Sequence, residues 1–533
     1  MKYEEKTTVV IIGGGSAGIA AAHLLHAERI DFWLVEAEDR LGGRIKNFNF
    51  NGYNVEDGAN WIHGEYDANW DPNNESDSVP FFRNPLWTWQ RHFKGTDKFM
   101  GGNFTDYNRE EFRNDKALVV DEKLEEECWK EVEAALDICG KKASGLWDQY
   151  CKNGVEIDEV EKSDTTIRKC IYDNLGYADF NNEKKKICDA IIWEEIEFET
   201  GIFDASLMHN YPLNNINGKP FNDRDFLITQ GFNIWIDNVA SQFKNRFLLK
   251  EKVTTIEYSS TDVEVFTEDG SMIKADYAIC TVPLGVLQRG DIDFDPPFSK
   301  AKQDAIQGMK MGSYEKVYVI FPTVFWNNEE EVLINVAEGM KAHESIMAWG
   351  LNLNHEKYFP GSKMFTFHCM GDAAKRVASQ PETDTLKEVN KIMRKLFGAK
   401  ATRATKIHVT NWTHNPSSYG SWSAMPYGYG KKQWELMRKN EERLFFAGEH
   451  TSSNCGFVHA ASIEGWVAAR DVIKEIKGYE PTFSNPNLLP KRRRGCDDEM
   501  VPINERPRPS SAPDAKLNNF LSIFFFAMEV ITN

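Results

Sequence analysis

Gly13, Gly15 and Gly18 fill a G-x-G-x-x-G spacing in the run Val9-Val10-Ile11-Ile12-Gly13-Gly14-Gly15-Ser16-Ala17-Gly18. Glycines at this spacing let the backbone turn tightly and approach a pyrophosphate, and the N–H groups of a following helix complete the anion site. Ser16 lies inside the turn. Glu36 follows the glycines by about 20 residues, the separation at which a carboxylate accepts a hydrogen bond from a ribose hydroxyl. Arg40-Leu41-Gly42-Gly43-Arg44 then offers a second close approach to phosphate, with Arg44 supplying a guanidinium to share its charge. The chemistry read from these residues is dinucleotide binding; the alternative for the second segment is a tight surface turn with solvated arginines.

These residues need elements to hold them. Val9 to Ile12 are four apolar residues in a row and predict a buried strand, and the alanine-rich stretch after Gly18 predicts a helix. Phe32-Trp33-Leu34-Val35 predicts the second strand, which presents Glu36 at its end. From about 66 to 115 the chain is rich in Asn, Asp, Gly, Pro and Trp and reads as a long loop or insertion. From about 116 to 200 the pattern is helical, with Leu124, Cys128, Val132 and Leu136 at helical spacing. Strand-like segments return at 247–249, 253–256, 263–266, 277–280 and 316–321. Leu444-Phe445-Phe446-Ala447 predicts a further buried strand, followed by a helix over about 460 to 477 that stops at Gly478.

The 533 residues exceed what one hydrophobic core organises, so at least two domains are expected. The net charge of −18 disfavours nucleic acid or an anionic membrane as main partner and suits a cationic substrate, or serves solubility alone. Nine scattered cysteines, with no C-x-x-C pair, suggest neither a disulfide framework nor a zinc site, and no metal is expected. The first residues enter the first strand without an apolar signal region, so a cytoplasmic location is expected. Lys491-Arg492-Arg493-Arg494 reads as a solvated basic patch or a nuclear import signal. Leu521 to Ile531 is apolar but falls short of the ~20 residues a membrane span needs. Seven of the 20 prolines lie between Pro481 and Pro513, which predicts an extended, poorly ordered tail.

The glycine turn with its Arg40–Arg44 segment resembles the extended dinucleotide fingerprint of the flavin amine oxidase family. Phe446-Ala447-Gly448-Glu449-His450-Thr451 with Gly456-Phe457-Val458-His459 is similar to the segment that holds ribitol and flavin ring in that family. Within it the likeness is greatest to FAD-dependent polyamine oxidases, over roughly residues 7 to 480. The resemblance implies an α/β (α+β overall) fold: a Rossmann-like FAD-binding domain assembled from 1–84, 225–290 and 435–480, with an inserted substrate domain of mixed sheet and helices from 85–224 and 291–434. Residues 481–533 remain a tail.

By the same resemblance, FAD is held by Gly13, Gly15, Ser16, Gly18, Glu36, Arg44, Ala59, Asn60, Trp61, Val253, Trp412, Gly448, Glu449, Phe457 and Val458. Glu449 binds the cofactor chain, and the helix near Ala460 aims its positive end at the flavin C2 carbonyl. Attachment is expected to be noncovalent, because Ser421 stands where the covalent members carry cysteine. Lys316, in Tyr314-Glu315-Lys316, matches the lysine that holds a water against flavin N5. Glu197 and Phe198, after Trp193-Glu194-Glu195, match the acidic and aromatic lining of a polyamine tunnel; the alternative is a helix with a charged solvent face. Trp422 and Phe457 match the aromatics flanking the substrate amine. His63 stands where the plant terminal-catabolism enzymes have glutamate and the animal back-conversion enzymes have histidine. The implied reaction oxidises a secondary amine of spermine, spermidine or an acetylated derivative with molecular oxygen, giving an aldehyde, a shorter amine and hydrogen peroxide. The alternatives are an L-amino acid oxidase, a histone-lysine demethylase-like enzyme, and an inactive flavin-binding interaction protein.

Overall fold

The computed structural model describes residues 4–63, 86, 100–103, 110–114, 116–150, 157–194, 200–210, 226–229, 231–337, 339–453, 455–479 and 481. The tail from 482 to 533 and most of the 66–115 stretch therefore lie outside the described residues.

The apolar run before the glycines forms the strand Glu4–Ile12, in which Val9, Val10 and Ile11 are fully buried. It lies between Phe32–Glu36 and Met272–Cys280, parallel to both. A strand buried on both faces needs apolar residues at every position, as this one has. The Met272–Cys280 strand has two neighbours on its far side. Its first half pairs antiparallel with Val263–Thr267, and its second half parallel with Leu444–Phe446. Strands from three widely separated stretches thus meet in one eight-stranded sheet. The sheet also takes in Asp293–Asp295, which pairs parallel with Val253–Tyr258. This α/β layer is covered by the helices Ser16–Ala27 and Val458–Lys477, which pack against each other.

A second, six-stranded sheet is built around Tyr314–Ile320, antiparallel to both Met364–Met370 and Lys406–Val409. One edge is the strand Glu110–Arg113, parallel to Val332–Asn335. With Met100–Asn103, which pairs with Phe226–Ile228, it places strands in the stretch from about 66 to 115 that the sequence reads as a long loop or insertion, against the loop reading. Its partner lies more than 200 residues downstream, beyond the reach of local periodicity. The helices Glu122–Tyr150, Ile167–Asn174 and Asn182–Ile192 pack against this sheet and share its core with Trp349 and Tyr318. No helix among the described residues is long and apolar enough to cross a membrane.

Candidate active site

One cavity of about 750 Å³ runs between the two sheets and reaches the glycine turn. A helix begins at each of two of its walls. Ser16 opens the first helix, and Phe457 is the N-cap of the second. Ser16 Oγ meets Ser462 Oγ at 2.7 Å and donates to the Val458 carbonyl at 3.1 Å, which fixes the two N-termini side by side. Neither helix has an acidic residue in its first turn. Two positive dipole ends over one cavity favour an anionic ligand.

The glycines divide their work. Gly13 and Gly15 line the cavity, and a side chain built on Gly15 would meet nothing within 4 Å. Gly18 does not line it. A Cβ there would lie 1.9 Å from the Gly13 carbonyl oxygen, so Gly18 is the residue that lets helix and turn close on each other. Glu36 ends its strand against the turn, accepting from the Gly14 N–H at 2.6 Å and the Glu38 N–H at 2.8 Å. Burial raises its carboxyl above the usual range, against those backbone bonds.

The arginines are used differently from one another. Arg40 donates to the carbonyls of Leu41, Gly43 and Ile45 and pairs with Glu38, so it braces its own loop rather than facing a phosphate. Arg44 lines the cavity and reaches Glu449 at 2.8 Å and the Ser421 carbonyl at 2.9 Å. Glu449 is buried; its other oxygen accepts from Ser423 and from the Gly456 N–H at 2.8 Å. Burial alone would raise its carboxyl, but Arg44, His450 and Ser423 outweigh that and hold it below the usual range. Ala59, Asn60, Trp61 and Val253 line the cavity, as do Trp412, Gly448, Phe457 and Val458.

Alternation along Tyr314–Ile320 sets the next layer. Glu315 points to one side and accepts from the Thr410 hydroxyl and from the N–H groups of Trp412 and Thr413, which fixes the Trp412 turn. Trp412 in turn donates from Nε1 to the Asp57 carbonyl at 2.8 Å. Tyr314, Lys316 and Tyr318 point to the other side. Lys316 is 3% exposed, which excludes a solvated strand-edge lysine. Its Nζ donates to the carbonyls of Glu56 and Gly58, at 2.6 and 2.5 Å, and to Asn60 Oδ1 at 3.3 Å. Burial lowers its pKa to about 8, against the attraction of Glu56 and Asp57. The Glu56 carboxyl, equally buried, is pushed up to about 8.

The aromatic residues meet at the same place. Trp422 stacks obliquely on Tyr314, ring centroids 4.6 Å apart. Its indole fits a slot between Gly201 and Gly456, where an added Cβ would come within 2.8 and 3.1 Å of it. Phe457 lies edge-on to His63 at 4.9 Å, and both line the cavity. Glu197 and Phe198 lie outside the described residues.

Sequence reasoning did not single out Glu194. Glu194, just before the undescribed 195–199 stretch, is buried and lines the cavity with Thr200, Asn210 and Trp349. Trp349 Nε1 donates to its Oε1 at 2.6 Å. The ring of Trp349 packs edge-on to His368 at 4.7 Å, and His368 Nδ1 bonds the Tyr314 hydroxyl. Burial holds His368 well below its usual pKa and therefore neutral. Glu194 stood in the acidic run read from sequence, in which Glu197 was singled out.

Comparison with known proteins agrees with this geometry. The family model for flavin-containing amine oxidoreductases matches residues 16–473. Polyamine oxidase 6 of Oryza sativa subsp. japonica is 27% identical over 500 residues, covering 87% of this chain and 90% of that protein. Polyamine oxidase 1 of Zea mays is 26% identical with the same coverage. Lysine-specific histone demethylase 2 of Homo sapiens is 26% identical over 84% of this chain, but only 51% of its own length is covered. Among solved structures, putrescine oxidase bound to putrescine superposes with a TM-score of 0.66 at 15% identity, over 88% of this chain and 99% of that one, a likeness of fold. The paired helix N-termini, the glycine turn and Glu36 suit the pyrophosphate and ribose of FAD. The chain belongs to the flavin-containing amine oxidoreductase family, with FAD as its cofactor.

Proposed function

We propose that the protein is a polyamine oxidase with noncovalent FAD. It oxidises a secondary amine of spermine, spermidine or an acetylated derivative, and hydrolysis of the imine gives an aldehyde and a shorter amine, with oxygen reduced to hydrogen peroxide. The observation that carries this reading is the lining of one cavity, which holds the glycine turn, the buried carboxylate of Glu194, Lys316 and Trp422 together.

Bound FAD supplies the two-electron acceptor. The chain's own residues do the rest. Gly13, Gly15 and the N-terminus of the first helix hold the pyrophosphate, the N-terminus of the second faces the flavin C2 carbonyl, and Glu36 takes a ribose hydroxyl. Arg44, fixed by Glu449, adds positive charge nearby. Trp422 and Phe457 guide the reacting nitrogen and favour positive charge developing on it. Lys316 keeps positive charge beside the reacting centre. Glu194 and Glu197 bind remote ammonium groups, and Phe198 lines the same path. The distance from those carboxylates to the reacting centre sets which carbon is oxidised. His63 backs an internal amine and favours the cut that regenerates a shorter polyamine. The FAD-binding domain is proposed to comprise 1–84, 225–290 and 435–480, and the substrate domain 85–224 and 291–434.

Against an amino acid substrate stands the arginine inventory. Arg44 is the one arginine among the described residues lining the cavity, and its Nη1 is engaged by Glu449 and Ser421. A substrate carboxylate needs a guanidinium that can grip it. Product analysis tests the reading: spermine should give spermidine, an aminoaldehyde and peroxide. Peroxide formed from L-amino acids but not from polyamines would replace it.

A further inference from the structure

One face of the second sheet is turned to the cavity, and a histidine stands in the middle of that face. On the strand Met364–Met370, His368 is paired directly with Lys316 on one side and with Trp349 on the other. Residues directly opposed in a ladder share a face of the sheet, and Tyr314, two residues before Lys316, shares it too. Tyr314, Lys316 and Trp349 line the cavity; His368 is fully buried behind them and does not.

Its contacts join parts of the lining that are far apart in the chain. His368 Nδ1 bonds the Tyr314 hydroxyl. Tyr314 in turn stacks obliquely on Trp422, with ring centroids 4.6 Å apart. The imidazole also packs edge-on to the ring of Trp349 at 4.7 Å, and Trp349 Nε1 donates to Glu194 at 2.6 Å. An unbroken set of contacts thus runs from Trp422 through Tyr314, His368 and Trp349 to Glu194. Burial keeps the imidazole neutral, and Nδ1 serves the hydroxyl in either tautomer, since a hydroxyl both donates and accepts. An apolar side chain at this place would fill the space but leave the Tyr314 hydroxyl without that bond.

We propose that His368 is a positioning residue of the amine site: it holds the Tyr314–Trp422 wall and the Trp349–Glu194 pair in fixed relation. It thereby sets how a polyamine gripped at Glu194 presents its reacting nitrogen. The inference rests on the polyamine reading above. His368 does not reach the cavity, so it acts through Tyr314 and Trp349. A displacement of about 1 Å at a reacting centre is enough to cost roughly a hundredfold in rate.

The test compares His368→Asn, His368→Gln and His368→Leu as holoenzymes, with anaerobic flavin reduction by spermine followed by stopped flow. The Asn amide puts a polar atom near the place of Nδ1 and the Gln amide near that of Nε2, whereas Gln is the nearer to histidine in volume. His368→Leu should lower the limiting rate of reduction roughly tenfold to a hundredfold. His368→Asn should recover most of that loss, and His368→Gln should not. Packing alone would reverse this order. If His368→Leu fails to fold, Asn against Gln still decides. In a Tyr314→Phe background the loss from His368→Leu should shrink, because the hydroxyl it holds is already gone. Rates unchanged in all three variants, or Gln recovering as well as Asn, would overturn the proposal alone. A wild-type flavin that spermine, spermidine and their acetylated derivatives all leave oxidised would overturn the polyamine reading and this inference with it.

Discussion

Lys316 and Glu56 are buried together, and burial drives their pKa values toward one another, to about 8 in each case. Burial favours the neutral amine of Lys316 against the attraction of Glu56 and Asp57, so the ammonium gives way as pH rises. A positive charge beside the flavin stabilises negative charge developing on oxygen. The rate of flavin reoxidation is therefore expected to fall as pH rises through about 8. Lys316→Met should alter this dependence, leaving only the titration of Glu56, and slow the step by about 2–4 kcal/mol, roughly 30- to 1000-fold, while FAD stays bound. Stopped-flow reoxidation across pH checks both; an unchanged profile in the variant removes Lys316 from the chemistry. Glu194 carries a separate expectation. Glu194→Gln should raise KM for spermine about tenfold to a hundredfold, the value of a charge-assisted hydrogen bond of about 1.5–3 kcal/mol, with little effect on a simple monoamine. Glu197→Gln is expected to behave alike. Equal losses for both substrates would make either carboxylate structural. That Glu194 lines the cavity was beyond the sequence, because its partner Trp349 stands on a strand 155 residues away.

The helix pair that opens on the cavity shows how elements carry the site. Gly465 lies inside Val458–Lys477. In the fold an added Cβ would lie 2.1 Å from the Ala17 carbonyl oxygen, so the two helices touch backbone to backbone there. Gly465→Ala should push them apart, costing about 2 kcal/mol or more, and misalign the N-termini bridged by Ser16 and Ser462. Thermal unfolding and flavin retention on gel filtration should fall together; a stable variant that keeps its flavin would contradict this. The elements legible in sequence were those set by short-range pattern: the glycine turn, Glu36 at a strand end, and the helix stopping at Gly478. The strand Glu110–Arg113 was not, since its ladder partner is Val332–Asn335. Burial of Lys316 was anticipated from the apolar strand around it, whereas its acceptors, the 56–60 loop, come from the other end of the chain.

At the scale of the molecule, two sheets from interleaved stretches of chain enclose one cavity, and the whole carries a net charge of −18. An acidic surface raises the local concentration of a polycation, so kcat/KM for spermine should decline with added salt more steeply than for a monoamine. Equal salt slopes would leave the charge to solubility alone. Ser421 donates to the Tyr314 carbonyl at 2.7 Å and offers no thiol for attachment. Acid precipitation should therefore release the flavin, and colour kept in the denatured pellet would refute noncovalent binding. The central claim is that this cavity delivers a polyamine to the flavin. It is tested most directly by adding spermine or spermidine anaerobically to the purified holoprotein. The account predicts rapid loss of the oxidised-flavin absorbance, restored by air with release of peroxide. A flavin that stays oxidised with spermine, spermidine and their acetylated derivatives alike would contradict it.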